Sequence, residues 1–155
     1  NILDVQGNLA VTYAKLERHE LALRMKRIVY SGYLKLKGEE HTDTLISANN
    51  YADSLIQLQR YKTVMDLLRK TLPIARRVLG DSDKTMLRLR VNYARALCVD
   101  AVTGTSLDDL REAVTTLEDS ERTAQRVFSG ANPFVEQVAY FLRESRGLLH
   151  KKRKT

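Results

Sequence analysis

Three asparagines carry the spacing in this chain that asks for chemistry. Asn8, Asn50 and Asn92 recur at a step of 42 residues. Each sits inside a helix-like apolar pattern, where an asparagine lowers helix stability. A carboxamide offers N–H donors and a carbonyl acceptor. Such a ladder suits the backbone of an extended peptide, whose N–H and C=O groups need partners and carry no side-chain identity. The same amides could instead bond between adjacent helices and set the repeat spacing. The other reactive side chains form no constellation. His19, His41 and His150 have no metal-ligand spacing and no cysteine partner. Gly7, Gly32 and Gly38 are isolated and make no phosphate loop. Cys98 shares its register with Ala14 and Ile56, which predicts a partly buried, small apolar role. Asp108-Asp109 and Glu118-Asp119-Glu121 read as helix-start charge and a wet helix face, since an acid–base pair needs burial and a pocket. The expectation is a non-enzyme with no metal and no cofactor.

The elements that position the ladder repeat with it. Ala10, Ala52 and Ala94 keep the 42-residue step, as do Leu9, Tyr51 and Tyr93, and then Tyr13, Leu55 and Leu97. "RHELALRMKR" answers "RYKTVMDLLRK", and "LKLKGEEHTDT" answers "RRVLGDSDKTM". The third copy breaks the period: Tyr61 finds its counterpart at Leu110 and Val78 at Val127, a step of 49, so seven residues have entered between Cys98 and Leu110. Thr, Gly and Ser in that stretch predict a loop, with Ser106 or Asp108 capping the helix beyond it.

Each copy reads as two helices. In copy two, Leu45, Ala48, Tyr51, Ala52, Leu55 and Leu58 follow one buried face, and Tyr61, Val64, Met65, Leu68, Leu72, Ala75 and Val78 follow a second. Gly38 and Gly80 sit in equivalent stop positions, and Asp81-Ser82-Asp83 offers caps for the next helix. Pro73 falls inside the second helix and predicts a kink rather than a break. Strand signals are absent. The pattern predicts an all-α fold, a right-handed α-solenoid of antiparallel helix pairs. The expected boundaries are one domain over 1–150, with repeats at about 1–38, 39–80 and 81–129 and a terminal helix over 133–150. Residues 151–155 are expected to be a disordered basic tail.

Asn49-Asn50-Tyr51-Ala52, Arg60-Tyr61, Val78-Leu79-Gly80 and Gly38-Glu39-Glu40-His41 together resemble tetratricopeptide repeats, in the 42-residue form found in kinesin light chains. The resemblance covers nearly the whole chain. Thr42 and Lys84 stand where the family usually has proline, and His19 where it has tyrosine. In that family the concave groove binds cargo and adaptor peptides, which the resemblance implies for this chain. On a helical wheel Ile46, Asn50, Asp53 and Gln57 lie opposite the core stripe of copy two. Their equivalents are Asp4, Asn8, Val11 and Lys15 in copy one and Arg88, Asn92, Arg95 and Val99 in copy three. The expected groove is therefore Asn8, Lys15, Asn49, Asn50, Asp53, Gln57, Arg88, Asn92 and Arg95. Arg88 and Arg95 make one end positive and predict an acidic or carboxylate-bearing peptide.

Composition bounds the rest. The chain has 155 residues, enough for a core, and a formal net charge of +7, much of it in the tail His150-Lys151-Lys152-Arg153-Lys154. Without that tail the charge is mild and does not argue for nucleic acid. No run of eighteen apolar residues exists, which excludes a helical membrane span. One cysteine and no signal peptide point to a cytosolic protein. The chain begins at Asn inside an apolar pattern and reads as a fragment of a longer protein, whose apolar end at Ile2, Leu3 and Val5 invites self-association. The function expected is a protein- or peptide-binding scaffold acting through its groove. A purely structural or self-associating solenoid segment is the first alternative, and a nucleic-acid-binding helical repeat the second.

Overall fold

The computed structural model describes residues 1–155 except Thr105 and the side chains of residues 100–104. The loop expected between Cys98 and Leu110 requires correction: residues 99–104 are helical and the next helix begins at Leu107, with Thr105 outside that description. Among the described residues there are helices and no strands: α1 Ile2–Lys15, α2 His19–Lys37, α3 Thr42–Gln57, α4 Tyr61–Leu79, α5 Lys84–Gly104, α6 Leu107–Val127 and α7 Pro133–Arg153. They form two compact units, Asn1–Leu79 (unit 1) and Gly80–Thr155 (unit 2).

In unit 1 the neighbours in sequence pack as neighbours in space: α1 on α2, α2 on α3, α3 on α4. The turns that reverse the chain are copies of each other. Glu17 and Gln59 both take the left-handed conformation, at φ 59°. The amide of Arg18 donates to Tyr13 O at 2.9 Å, and that of Arg60 to Leu55 O at 2.8 Å. This closes both first helices with the same six-to-one bond across a left-handed residue. Neither position is glycine, and the turn at Gln59-Arg60 is legible in the sequence only from the break between the two apolar faces of copy two. The second helices end differently. Gly38 takes φ 85° and ψ 170°, a region open almost only to glycine, and Gly80 takes φ 82°. His41 then caps α3 by accepting the amide of Asp43, and Asp83 caps α5 by accepting those of Thr85 and Met86. α4 runs unbroken through Pro73.

The core of unit 1 follows the repeat. Leu45, Ala48, Ala52 and Leu55 of α3 are buried, and so are Val64, Met65, Leu68 and Ala75 of α4. Ala10 and Ala52 are wholly inaccessible, which lets the paired helices approach closely. The approach is tightest at Gly32, where an added Cβ would lie 2.6 Å from a methyl of Leu3. Leu3 belongs with Val29 and Tyr33 to a small cluster between α1 and α2.

In unit 2, α6 packs on α5, and α7 packs on both. The helix start at Leu107 is capped by Ser106, and Asn132-Pro133 begins α7 with the Asn132 side chain accepting the amide of Phe134. Where the sequence pattern ended this helix near His150, α7 continues to Arg153. Lys151, Lys152 and Arg153 then occupy its last turn, where their charges complement the helix dipole.

Candidate functional site

The ladder does not have one environment. In unit 1 it behaves as the wheel requires: Asp4, Asn8, Val11 and Lys15 of α1 are exposed, as are Ile46, Asn50, Asp53 and Gln57 of α3. Asn8 and Asn50 line one cavity of about 230 Å³. Its walls are Asp4, Gly7 and Val11 on α1, Val29 and Tyr33 on α2, and Asp43, Ile46 and Ser47 on α3. Among the described residues no hydrogen bond engages either carboxamide.

Two expected groove residues require correction. Asn92 is buried, at 4% exposure, because α7 packs over α5 and covers the stripe that a wheel of α5 alone turns outward. Its Oδ1 accepts from Arg95 at 3.5 Å. Asn49 is buried at 6%, because α3 lies between α2 and α4 and buries a wider arc than one stripe. Neither presents an amide to an outside ligand. Lys15, Asp53 and Gln57 are exposed but do not line the cavity with Asn8 and Asn50.

Arg88 and Arg95 occur in a setting that the sequence did not suggest. The Arg88 guanidinium lies 5.9 Å from the ring centre of Phe128 and 5.4 Å from that of Phe134. Arg95 lies 4.3 Å from the ring of Phe141, and Lys84 lies 5.2 Å from that of Phe128. Phe128, Phe134 and Phe141 thus give α5 a set of aromatic faces that hold its cations by attraction to the ring quadrupole.

The cavity of unit 1 also holds residues that the repeat pattern passed over. The Tyr33 hydroxyl donates to Asp4 Oδ1, and the Asn1 amino group to Asp4 Oδ2 at 3.2 Å. These contacts, Tyr33 first, hold the Asp4 carboxyl below its ordinary value. Lys37 Nζ donates to Asp43 Oδ2 at 2.6 Å, and this bond raises the Lys37 ammonium above its ordinary value. The signals were present but unread. Asp4 lies on the outward stripe with Asn8, and Tyr33 stands one period before Ala75, a core position.

Comparison with known proteins follows the same lines. Residues 1–77 match the tetratricopeptide repeat family. No curated protein sequence matches the chain. Among solved structures, the nearly identical TPR-like repeats assigned to a kinesin light chain of Podosopora anserina superpose with a TM-score of 0.80 at 18% identity, over 98% of this chain and 69% of that one. A variant of the same protein gives 0.81 at 18% identity, over 98% and 68%. BtubC (BKLC) from P. vanneervenii gives 0.72 at 16% identity, over 98% of this chain and 59% of that one. Such low identities carry the fold, an all-α solenoid of helix pairs. No helix among the described residues is long and apolar enough to cross a membrane. Residues 1–77 thus carry the sequence pattern of the tetratricopeptide repeat family, and almost the whole length takes the fold of kinesin-light-chain-like repeats.

Proposed function

We propose that the chain is a non-catalytic scaffold that binds an extended peptide segment of another protein, with the cavity of unit 1 as a contact site. One observation carries this reading: Asn8 and Asn50, a repeat apart, share a cavity and have no hydrogen-bond partner among the described residues. Paired carboxamides at such a site match the alternating donors and acceptors of a peptide backbone. The apolar wall of Val11, Val29 and Ile46 supplies burial between them. In unit 2, Arg88 is exposed beside Phe128 and Phe134, and an exposed guanidinium suits a carboxylate, which supports an acidic segment there. The lone buried Cys98 supports a cytosolic setting.

Peptide-library selection on the chain finds the ligand. An Asn8→Ala/Asn50→Ala double variant should then lose roughly fivefold to a hundredfold in affinity, the worth of two hydrogen bonds. Its melting temperature should stay within about 2 °C, since both side chains are exposed. Loss of stability with unchanged affinity would assign the asparagines to repeat spacing instead.

A second reading rests on α1. Ile2, Val5, Leu9 and Leu16 are 74%, 65%, 40% and 63% exposed and follow helical spacing on one side. That stripe supports self-association, which a concentration series in sedimentation separates from peptide binding.

A further inference from the structure

We propose that the cavity of unit 1 receives a cationic side chain, lysine or arginine, of the bound peptide. The inference rests on the peptide-binding reading and adds the chemistry of one ligand position. At about 230 Å³ the cavity is smaller than a site for a small-molecule ligand, typically ~300 Å³ or more, and fits a single side chain. Its charged lining is of one sign: Asp4 on α1 and Asp43 on α3. Between them the floor is apolar, through Leu3, Val29 and Ile46. A lysine or arginine places its methylene stem on such a floor and its charged head beside the carboxylates. A glutamate would bring its charge to two others, and a leucine would add nothing to the partners that Asp4 and Asp43 already have.

The chain already shows what the site prefers. Lys37 stands at the edge of the cavity and gives its ammonium to Asp43 at 2.6 Å. That pair is solvent-exposed, with 34% and 42% of the two side chains accessible. An exposed pair of this kind contributes little and is readily exchanged. Asp43 Oδ2 is therefore held by a replaceable cation, while Asp4 is kept ionised by the Tyr33 hydroxyl. Lys37 competes with the guest for Asp43.

The test uses fluorescence anisotropy on the whole chain with four labelled nonapeptide pools. They are identical except for one fixed position holding lysine, arginine, norleucine or glutamate. Lysine and arginine pools should bind about threefold to tenfold tighter than norleucine, and glutamate weakest. Asp43→Asn should erase the preference while leaving norleucine binding in place. Lys37→Gln should raise the affinity of the lysine pool by about twofold to fivefold, because a competitor is gone. Asp4→Asn should act like Asp43→Asn, and circular dichroism reports whether loss of its contacts with Tyr33 and Asn1 has unfolded α1. Equal binding of norleucine and lysine pools, or a lysine preference that survives Asp43→Asn, overturns the inference and leaves the groove reading standing. Absence of binding by all four pools overturns both.

Discussion

Leu68→Ala is expected to cost unit 1 about 2–5 kcal/mol. Leu68 has no accessible surface in the middle of α4, and Val64, in the turn before it on the same face, has none either. Removing three carbons forfeits their transfer free energy and leaves a void that helices on a repeat scaffold fill only in part. The midpoint of urea unfolding should fall with an unchanged slope, and the melting temperature should drop by roughly 5–15 °C. Val78→Ala is the internal control. Val78 lies on the same predicted stripe of the same helix but is 39% exposed, so its truncation should cost under about 1 kcal/mol. Equal losses at the two positions would mean that α4 is not packed as the structure has it.

Enlarging a small residue should be nearly as damaging. Ala52 is wholly inaccessible at the centre of α3, beside the equally buried Ala48. α2 and α4 both pack on this helix. A leucine at 52 has no space that is not already filled, so it must push a neighbouring helix or take a poor rotamer. The expected cost is about 1–3 kcal/mol, read as a fall in the unfolding midpoint. Gln57→Leu, on the exposed face of the same helix, should change stability by no more than about 0.5 kcal/mol. If Ala52→Leu proved neutral, the repeated alanines would not be setting the spacing of the helices.

These two positions mark how far the sequence could be read. Burial of Leu68 and Ala52 follows from the 42-residue period, because helical spacing on an apolar face repeats copy after copy. The period also hides exceptions. One repeat before Leu68 the chain has Lys26, half-buried and with its ammonium pushed down by desolvation, against which Asp53 acts in part. An apolar register can thus hold a charge when the helix beside it supplies a carboxylate, and no single-helix pattern reveals that. The same limit governs the candidate site. A wheel finds the outward face of α1 and α3, and with it Asn8 and Asn50. It cannot see that α7 lies over α5, so it misjudges Asn92. Asp43 and Lys37 meet through the turn between α2 and α3, where Gly38 redirects the chain, and helical periodicity says nothing there. The aromatic neighbours of Arg88 come from the end of α6 and the start of α7, some forty residues away. Contacts set by packing between distant segments leave no local mark.

Cys98 carries a practical consequence. Its sulfur lies 2.9 Å from Ser145 Oγ, whose own hydrogen goes to Phe141 O at 2.7 Å, so the thiol is the donor in the first bond. Burial pushes the thiol's pKa up and keeps the nucleophilic thiolate scarce. A maleimide or disulfide reagent can therefore reach this sulfur only when α7 lifts from α5. Unit 2 thereby contains its own clock for local opening, and the labelling rate of one native atom meters how often this terminal helix peels away.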